Sequence, residues 1–416
     1  MKNQLIAFTA ICAAWTALAD PNDPQIALVS AQQNERRVLK VEYTLDEPAI
    51  VTFDVKTNGV SIGAANLKLA YGDVHRVVDA TESGEVRTLF WPAYEAWPEH
   101  TSARDGQFSV TVTAWATNSP PDYMVVKLVG DDKGARTFYT APEQLPGDGG
   151  VTNDIYKTDY LVMRRIPAAG KTFRMGSPDS EPGRRANEIL HYVSLTNDFY
   201  MSVFNLTQGQ YSNVMGSSPT VNGYISNYQY SPLHPVNGVF YNAFRGTEKV
   251  WPADGHQVAA ASPLGQFRDR LNLATLDLPT EAEWEFACRA GTTSGRYDGL
   301  EYDKSGFDRK AYLLAWLGSG RGPSPHAVGL LLPNGFGLYD MHGDVCEFCL
   351  DRFAADATYA SVGEWQIAPK GPASGYPVVK GTSLWWTSEG SSVRSAYRDQ
   401  LDSMWNMAGY RLVFTF

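Results

Sequence analysis

The sequence predicts an α+β chain of two domains, in which an all-β sandwich precedes a larger region of short strands, loops and few helices. Two observations indicate this. Apolar and polar residues alternate with period two in the first region, whereas the second is rich in Trp, Tyr and Gly and has few long periodic segments. A chain of 416 residues with 44% hydrophobic content is long enough for two domains that each bury a core.

The first domain, predicted for residues 20–130, consists of half-buried strands. Apolar side chains recur at every second position in three segments, at 39–45, 49–55 and 108–114. The second of these ends at Asn58-Gly59, which is a hairpin turn signal. Short strands separated by turn residues favour an antiparallel sandwich of immunoglobulin or fibronectin type.

A stretch at 131–152 contains the run GDGG and has no apolar period, so it is predicted to be a linker. The second domain then covers 153–416. Two helices are predicted there, at about 207–215 and 280–289. The second helix begins with Thr280, followed by Glu281 and Glu283, which offers a capping hydroxyl and acidic residues that suit the helix dipole.

Residues 1–19 have the features of a secretory signal. Lys2 supplies positive charge, 5–18 form an apolar run, and the sequence ALA gives a small-x-small cleavage site before Asp20. Cys12 lies inside the apolar run, which argues against a lipoprotein. We therefore expect a protein that is secreted or periplasmic. No later stretch approaches the roughly 20 apolar residues of a membrane span, so no integral membrane segment is expected in the mature chain.

The charge balance restricts the partners. The formal net charge is −10 and the sequence pI is about 5.2. Nucleic acids and anionic membranes are bound by basic surfaces, so neither is an expected partner.

Four blocks of sequence carry a family resemblance: LPTEAEWEFACRAG at 278–291, NGFGLYDMHGDVCEFCLD at 334–351, VVKGTSLWW at 378–386 and AGYRLVF at 408–414. Together they resemble the formylglycine-generating enzyme, or sulfatase-modifying factor, family. The ergothioneine-synthesis oxygenase and the pyoverdine-maturation protein share this domain. The resemblance covers the second domain and implies a variant of the C-type lectin fold there.

The resemblance also implies a structural calcium ion. In the family the segment G-N-x-W-E-W takes part in a calcium site through side-chain oxygens and neighbouring backbone carbonyls. This chain reads GDVCEF at 343–348, so Asp344 and Glu347 keep the oxygen donors and Val345 lies between them. In the alternative interpretation Asp344 only caps a turn and Glu347 is solvated.

The oxidase chemistry of the family is not expected. Its oxidase members bind copper with two cysteines near the C-terminus, and the equivalent positions here are Trp386 and Ser391. Neither residue supplies the thiolate that copper(I) requires, so no copper is expected. The iron-dependent relatives use clustered histidines, whereas the seven histidines of this chain show no such spacing.

Three cysteines follow the signal segment: Cys288, Cys346 and Cys349. An odd number leaves at least one thiol unpaired within the chain. Bacterial family members often have cysteines at the positions of Cys288 and Cys349, so the resemblance implies either a disulfide between them or two packed thiols. Thiol-disulfide exchange at the C-x-x-C pair of Cys346 and Cys349 is the other interpretation.

Taken together, the sequence favours an exported, non-catalytic module that binds a peptide or a carbohydrate. Its site would be the cleft that holds peptide substrate in active relatives, lined by Ser383, Trp385, Trp386, Arg394 and Arg398. Core packing of a tryptophan and structural ion pairs of the arginines are the alternatives. Two other functions stay open: an oxidoreductase with a different metal site, and a pseudoenzyme partner of a true formylglycine-generating enzyme.

Overall fold

The chain is described by a computed structural model, and the placed residues are 6–7, 23–99, 108–219, 230–247, 251–302, 310–317, 325–353, 360–383, 391–401 and 408–416. They divide into two compact units, Met1–Val125 with Arg136–Asn153 and Val126–Ala135 with Asp154–Phe416. Most of the predicted signal segment lies outside the described residues. None of the helices in the described part is both long and apolar enough to cross a bilayer.

The first unit is built from antiparallel strands and one short helix, α1 (Ala93–Ala96). Its strands are β1 (Ile6–Ala7), β2 (Ile26–Gln33), β3 (Val38–Leu45), β4 (Ala49–Thr57), β5 (Val60–Ser61), β6 (Tyr71–Gly72), β7 (Val77–Val78), β8 (Arg87–Pro92) and β9 (Phe108–Trp115). One sheet has the order β1-β2-β3-β8-β6, and the other has the order β5-β4-β7 with β9 paired to β4. Two further strands follow along the chain, β10 (Tyr123–Lys127) and β11 (Arg136–Tyr139).

The three strands predicted from period-two alternation are present as β3, β4 and β9. In β3 every second side chain is buried, and the polar residues between them are partly exposed. Buried side chains of both sheets, including Val41 and Phe53, belong to one hydrophobic cluster. Asn58 and Gly59 have φ of 50° and 80° and connect β4 to β5, as the turn signal predicts.

The segment 131–152 is not the irregular linker that its turn residues predict. It contains β11 and two 3₁₀ turns, Pro142–Gln144 and Gly150–Thr152. A strand of four residues is too short to show a clear alternation, so its Gly and Pro neighbours dominated the prediction.

The second unit is rich in β-structure and has few helices, as predicted. Its strands are β12 (Tyr160–Ile166), β13 (Thr172–Met175), β14 (His191–Ser194), β15 (Phe199–Ser202), β16 (Cys346–Arg352), β17 (Trp365–Ile367), β18 (Pro377–Lys380), β19 (Asp399–Gln400), β20 (Ala408–Gly409) and β21 (Val413–Phe414). They form the strand orders β12-β15-β21, β13-β14-β17 and β19-β18-β16-β20. The helices are α2 (Gln208–Met215), α3 (Tyr241–Arg245), α4 (Pro263–Leu271) and α5 (Glu281–Arg289).

Both predicted helices are found, as α2 and α5, and hydroxyl caps explain where they begin. Thr207 caps α2, and Thr280 caps α5. At α5 the Thr280 hydroxyl accepts from the Glu283 N–H at 3.2 Å, and the Glu283 carboxylate accepts from the Thr280 N–H at 2.8 Å. This helix packs into the main core of the second unit through Trp284 and Cys288, which are fully buried.

Candidate functional site

The strand β16 carries a buried carboxylate, Glu347, that ties distant segments together. Arg411 donates from Nη2 to Oε1 at 2.8 Å and from Nε to Oε2 at 2.9 Å. Asn205 donates to Oε1 at 2.8 Å, and the indole N–H of Trp284 donates to Oε2 at 2.6 Å. Both carboxylate oxygens are therefore satisfied, and a buried guanidinium balances the charge.

The side chains predicted to hold calcium contact other protein groups in this structure. Glu347 uses both oxygens on protein donors, and the side chain of Val345 is buried. Asp344 Oδ1 accepts from the His326 N–H at 3.0 Å and lies 3.2 Å from His326 Nδ1, while burial raises the Asp344 pKa. A calcium ion takes about six to eight oxygen ligands. Within the placed residues, no group of three or more acidic, histidine or cysteine side chains is arranged to hold a metal.

Arg394 lies at the centre of a buried ion-pair cluster. Its Nη1 donates to Glu181 Oε1 at 2.7 Å, and its Nη2 donates to Glu188 Oε1 at 2.6 Å. Its Nε donates to the Ser391 carbonyl at 2.8 Å. The side chain has 0% exposure. The structure thus gives Arg394 a structural role, and it does not expose the guanidinium to a ligand.

Arg398 belongs to a second buried network, which ties β18 to α5. It donates to both oxygens of Glu281, at 2.7 and 2.8 Å. Lys380 lies 2.9 Å from Glu285 Oε2 and 3.8 Å from Glu281 Oε1. Arg289 completes the network with a 2.8 Å contact to Glu285. Arg398 is also almost fully buried, so its visible contacts are those of an internal ion pair.

Only the two ends of the expected binding segment lie within the described residues. Trp385 and Trp386 lie outside the described residues. Ser383 is fully buried, and Ser391 is partly exposed. Next to them, the hydroxyls of Thr382 and Ser392 are 2.9 Å apart and hydrogen-bonded. The structure therefore fixes both ends of the segment through buried polar contacts.

The cysteines are packed thiols. Cys288, Cys346 and Cys349 are all buried, and none of them is in a disulfide. The Cys288–Cys349 disulfide is therefore wrong for this structure, and the alternative of packed thiols is what is found. Burial raises the Cys288 pKa to about 12, and it raises those of Cys346 and Cys349 well above the ordinary value. The apolar core favours the uncharged thiol over the thiolate.

The chain matches one protein family over most of its second unit. Residues 161–416 match the sulfatase-modifying factor enzyme 1-like domain. The chain belongs to this family. The match covers more than half of the 416 residues, and it confirms the resemblance carried by the four sequence blocks.

Several proteins are similar to shorter parts of the chain. A serine/threonine-protein kinase pkn1 of Chlamydia pneumoniae is 38% identical over 123 residues, which are 29% of this chain and 18% of the kinase. The formylglycine-generating enzyme of Thermomonospora curvata is 37% identical over 119 residues, 26% of this chain and 38% of the enzyme. The mouse formylglycine-generating enzyme is 25% identical over 256 residues, 53% of this chain and 65% of the enzyme. The chain thus spans less than two thirds of each of these proteins.

Solved structures are also similar to part of the chain. Treponema denticola variable protein 1 has 24% identity and a TM-score of 0.45, covering 62% of this chain and 96% of its own. PvdO from Pseudomonas aeruginosa has 22% identity and a TM-score of 0.46, covering 62% and 95%.

Sequence reasoning missed Lys380 and Glu285, although they form the network that holds Arg398. Lys380 is a lone charge at the end of the apolar strand β18, and it is fully buried. Such a lysine needs a carboxylate partner, which is a signal that the sequence did contain. The family's LPTEAEWE block supplies that partner, but only the fold shows which of its acids is in reach.

Proposed function

We propose that the second unit is a non-catalytic binding module of its family. One observation supports this above the others: the thiols of this unit are in the core. The positions of the oxidase cysteines are Trp386 and Ser391, and burial raises the pKa of Cys288 to about 12. All three described thiols are packed in the core, where a copper ion from solvent does not reach them.

The proposed site is the segment 383–391, and the proposed ligand is a peptide or a carbohydrate. Support comes from the way the ends of the segment are anchored. Arg394 binds the Ser391 carbonyl, and Thr382 binds Ser392. Anchored ends reduce the conformational entropy that a ligand must remove on binding. Trp385 and Trp386 are expected to supply the aromatic contact surface.

We also propose a fold type for each unit and a location for the protein, neither of which follows from family membership alone. The first unit is an immunoglobulin- or fibronectin-like sandwich, which is supported by the core cluster that its two sheets share. The second is a C-type-lectin-like domain. The mature protein begins at Asp20 and is secreted or periplasmic, which is supported by the charge of Lys2 and the apolar run after it.

The decisive experiment measures catalysis directly. A peptide with the motif Cys-x-Pro-x-Arg is incubated with the mature protein, oxygen, a reductant and copper, and its mass is then measured. We expect an unchanged peptide, while the Thermomonospora curvata enzyme in the same assay converts the cysteine to formylglycine. Conversion by this chain would overturn the proposal.

A second measurement addresses the ligand class. Peptide and glycan arrays are probed with the mature protein and with the variants Trp385→Ala and Trp386→Ala. We expect binding to one of the two classes and its loss in at least one variant. Oxygen consumption with bound iron or copper would instead favour the oxidoreductase. A stable complex with a formylglycine-generating enzyme would favour the pseudoenzyme.

A further inference from the structure

The strand β13 is an edge strand, and its register shows which of its backbone groups face outward. It pairs with β14, and Thr172 lies opposite Ser194. The Leu195 N–H donates to the Lys171 carbonyl at 3.0 Å, so the hydrogen-bonded positions of β13 are the odd-numbered ones. The N–H and C=O groups of Thr172 and Arg174 therefore point away from β14.

A hydrogen bond of the residue that follows β13 confirms the outward direction of these backbone groups. Gly176 has the same parity as Thr172 and Arg174, and its N–H donates to the Glu285 carboxylate at 2.9 Å. Among the described residues, no other strand pairs with the outer edge of β13. Unpaired strand edges of this kind are where a further strand can add.

An apolar groove runs beside this edge. It has a volume of about 550 Å³, within the range of ligand sites, and it lies between β13 and the end of α5. Three phenylalanines line it. The ring centroids of Phe173 and Phe286 are 5.4 Å apart, and those of Phe286 and Phe336 are 6.1 Å apart. An apolar side chain entering from the edge would meet these rings.

The charge around the groove is positive. Lys171 and Arg174 line it and are exposed. No acidic side chain among the described residues lines it, although the whole chain has a net charge of −10. Within the described part of the chain, neither cation has an ion-pair partner. Arg174 also lies opposite Tyr192 across the sheet, and Tyr192 lies opposite Trp365 in β17, with their rings stacked at 5.7 Å.

We propose that β13 is a docking site for an extended acidic peptide segment of a partner protein. The segment adds to the sheet as a further strand and pairs with the backbone of Thr172 and Arg174. Successive side chains of a strand point to opposite faces. On one face of the added strand, a side chain of the peptide is apolar and contacts Phe173 and Phe286. On the other face, a side chain of the peptide is acidic and lies beside Arg174. A peptide fits this edge because only a backbone repeats donors and acceptors at strand spacing.

The inference does not depend on the proposed function, since β13 carries none of the residues of segment 383–391. The test uses the full mature chain and a fluorescent peptide in which glutamate alternates with valine and phenylalanine. A matched peptide has lysine in place of glutamate. Fluorescence anisotropy measures binding. We expect the acidic peptide to bind, more weakly as salt rises, and the lysine peptide not to bind.

Two variants at one position isolate the backbone pairing. Thr172→Pro removes an outward N–H but no backbone hydrogen bond to β14, a placement that edge strands tolerate. Thr172→Ala removes the same side chain and keeps the N–H. We expect Thr172→Pro to bind about tenfold more weakly than Thr172→Ala, and Arg174→Glu to lose binding.

A further control alters the peptide and leaves the protein unchanged, so its result does not depend on whether the protein variants fold. The acidic peptide is N-methylated at alternate residues, which blocks strand pairing and leaves its charge unchanged. We expect this peptide not to bind. Equal affinity of the methylated and unmethylated peptides, equal affinity of Thr172→Pro and Thr172→Ala, or no binding of the acidic peptide would overturn the proposal. Competition by an acidic polysaccharide as effective as the peptide itself would also overturn it.

Discussion

Glu347 and Asp351 lie on the same strand, β16, yet their carboxyl groups meet different surroundings. Glu347 faces the guanidinium of Arg411. Asp351 accepts the Glu281 N–H at 2.7 Å, and burial followed by the charge of Glu281 raises its pKa to about 8. One position is therefore an ion pair, and the other is a largely protonated acid at neutral pH.

The first prediction concerns Glu347→Gln. This change leaves Arg411 buried without a countercharge, so we expect the free energy of unfolding to fall by about 3 kcal/mol. Urea unfolding measures it. The matched control is Asp269→Asn at an exposed position, which is expected to change stability by less than about 0.5 kcal/mol. Equal stability of the two variants would contradict the ion-pair role.

The second prediction concerns pH. The unfolded chain releases the Asp351 proton near its ordinary pKa of 3.8, whereas the folded chain keeps it to about pH 8. The folded state thus binds the extra proton between these values, and its stability relative to a non-titrating variant falls as pH rises through that window. Asp351→Asn keeps an acceptor for Glu281 and cannot ionise.

Urea unfolding at about pH 5 and about pH 8 tests this difference. We expect the wild-type protein to lose stability relative to Asp351→Asn between the two pH values. A constant difference between the two proteins would show that Asp351 has an ordinary pKa in the fold.

At the scale of elements, helix α5 organises the second unit. It presents Glu281 to Arg398, Glu285 to Lys380, and Trp284 to Glu347. Each contact joins the helix to a strand or to the C-terminal region, so the position of the helix sets the geometry of both buried networks. Its start is fixed by Thr280.

The third prediction is that Thr280→Ala lowers the free energy of unfolding by about 1 kcal/mol. The change removes the hydroxyl that accepts the Glu283 N–H. Thr280→Ser keeps this acceptor and is expected to be close to wild type in the same urea titration. If the serine variant is as unstable as the alanine variant, the methyl group and not the cap is responsible.

Elements with a strong local signal could be predicted from the sequence, and others could not. β3 follows from its alternation, and α5 follows from its cap. α4 was missed, although Ser262 caps it and Pro263 occupies its first turn, which are ordinary start signals. The short strand β11 has too few residues to show a period. Local sequence is sufficient to predict only those elements that have capping residues or several repeats of an apolar alternation.

The candidate site was predicted less well, because its partners are distant in sequence. The arginines near the C-terminus were recognised from the family pattern, but their carboxylate partners were not. Arg394 pairs with Glu188, 206 residues away. Burial also decides the state of Cys288, which the resemblance left open between a disulfide and a thiol. The family pattern predicted Arg394 and Arg398 as site residues, and tertiary packing determined what they contact.

At the scale of the whole molecule, the two units are interleaved along the chain. Val126–Ala135 belongs to the second unit, although Arg136–Asn153, which follows it, belongs to the first. Within the second unit the Leu128 N–H donates to the Asp159 carbonyl at 2.8 Å, and Lys133 Nζ donates to the Asn213 carbonyl at 2.6 Å. Leu128 is fully buried.

The fourth prediction compares fragments. A fragment of residues 126–416 keeps these contacts, and one of residues 154–416 lacks them. We expect the shorter fragment to have a Tm lower by at least about 5 °C, since it exposes the surface that Leu128 covers. A fragment of residues 136–416 is the control and should melt like the shorter one. Identical melting of all three would mean that 126–135 adds nothing to the second unit.

The buried cluster around Arg394 has a consequence for synthesis of the chain. Glu181 and Glu188 are made 213 and 206 residues before the arginine that neutralises them. At about 5–20 residues per second, a ribosome takes about 10–40 s to cover that distance. For that time the two glutamates have no Arg394 to pair with and must stay hydrated. The nascent second unit therefore cannot complete this buried cluster until Arg394 has been translated.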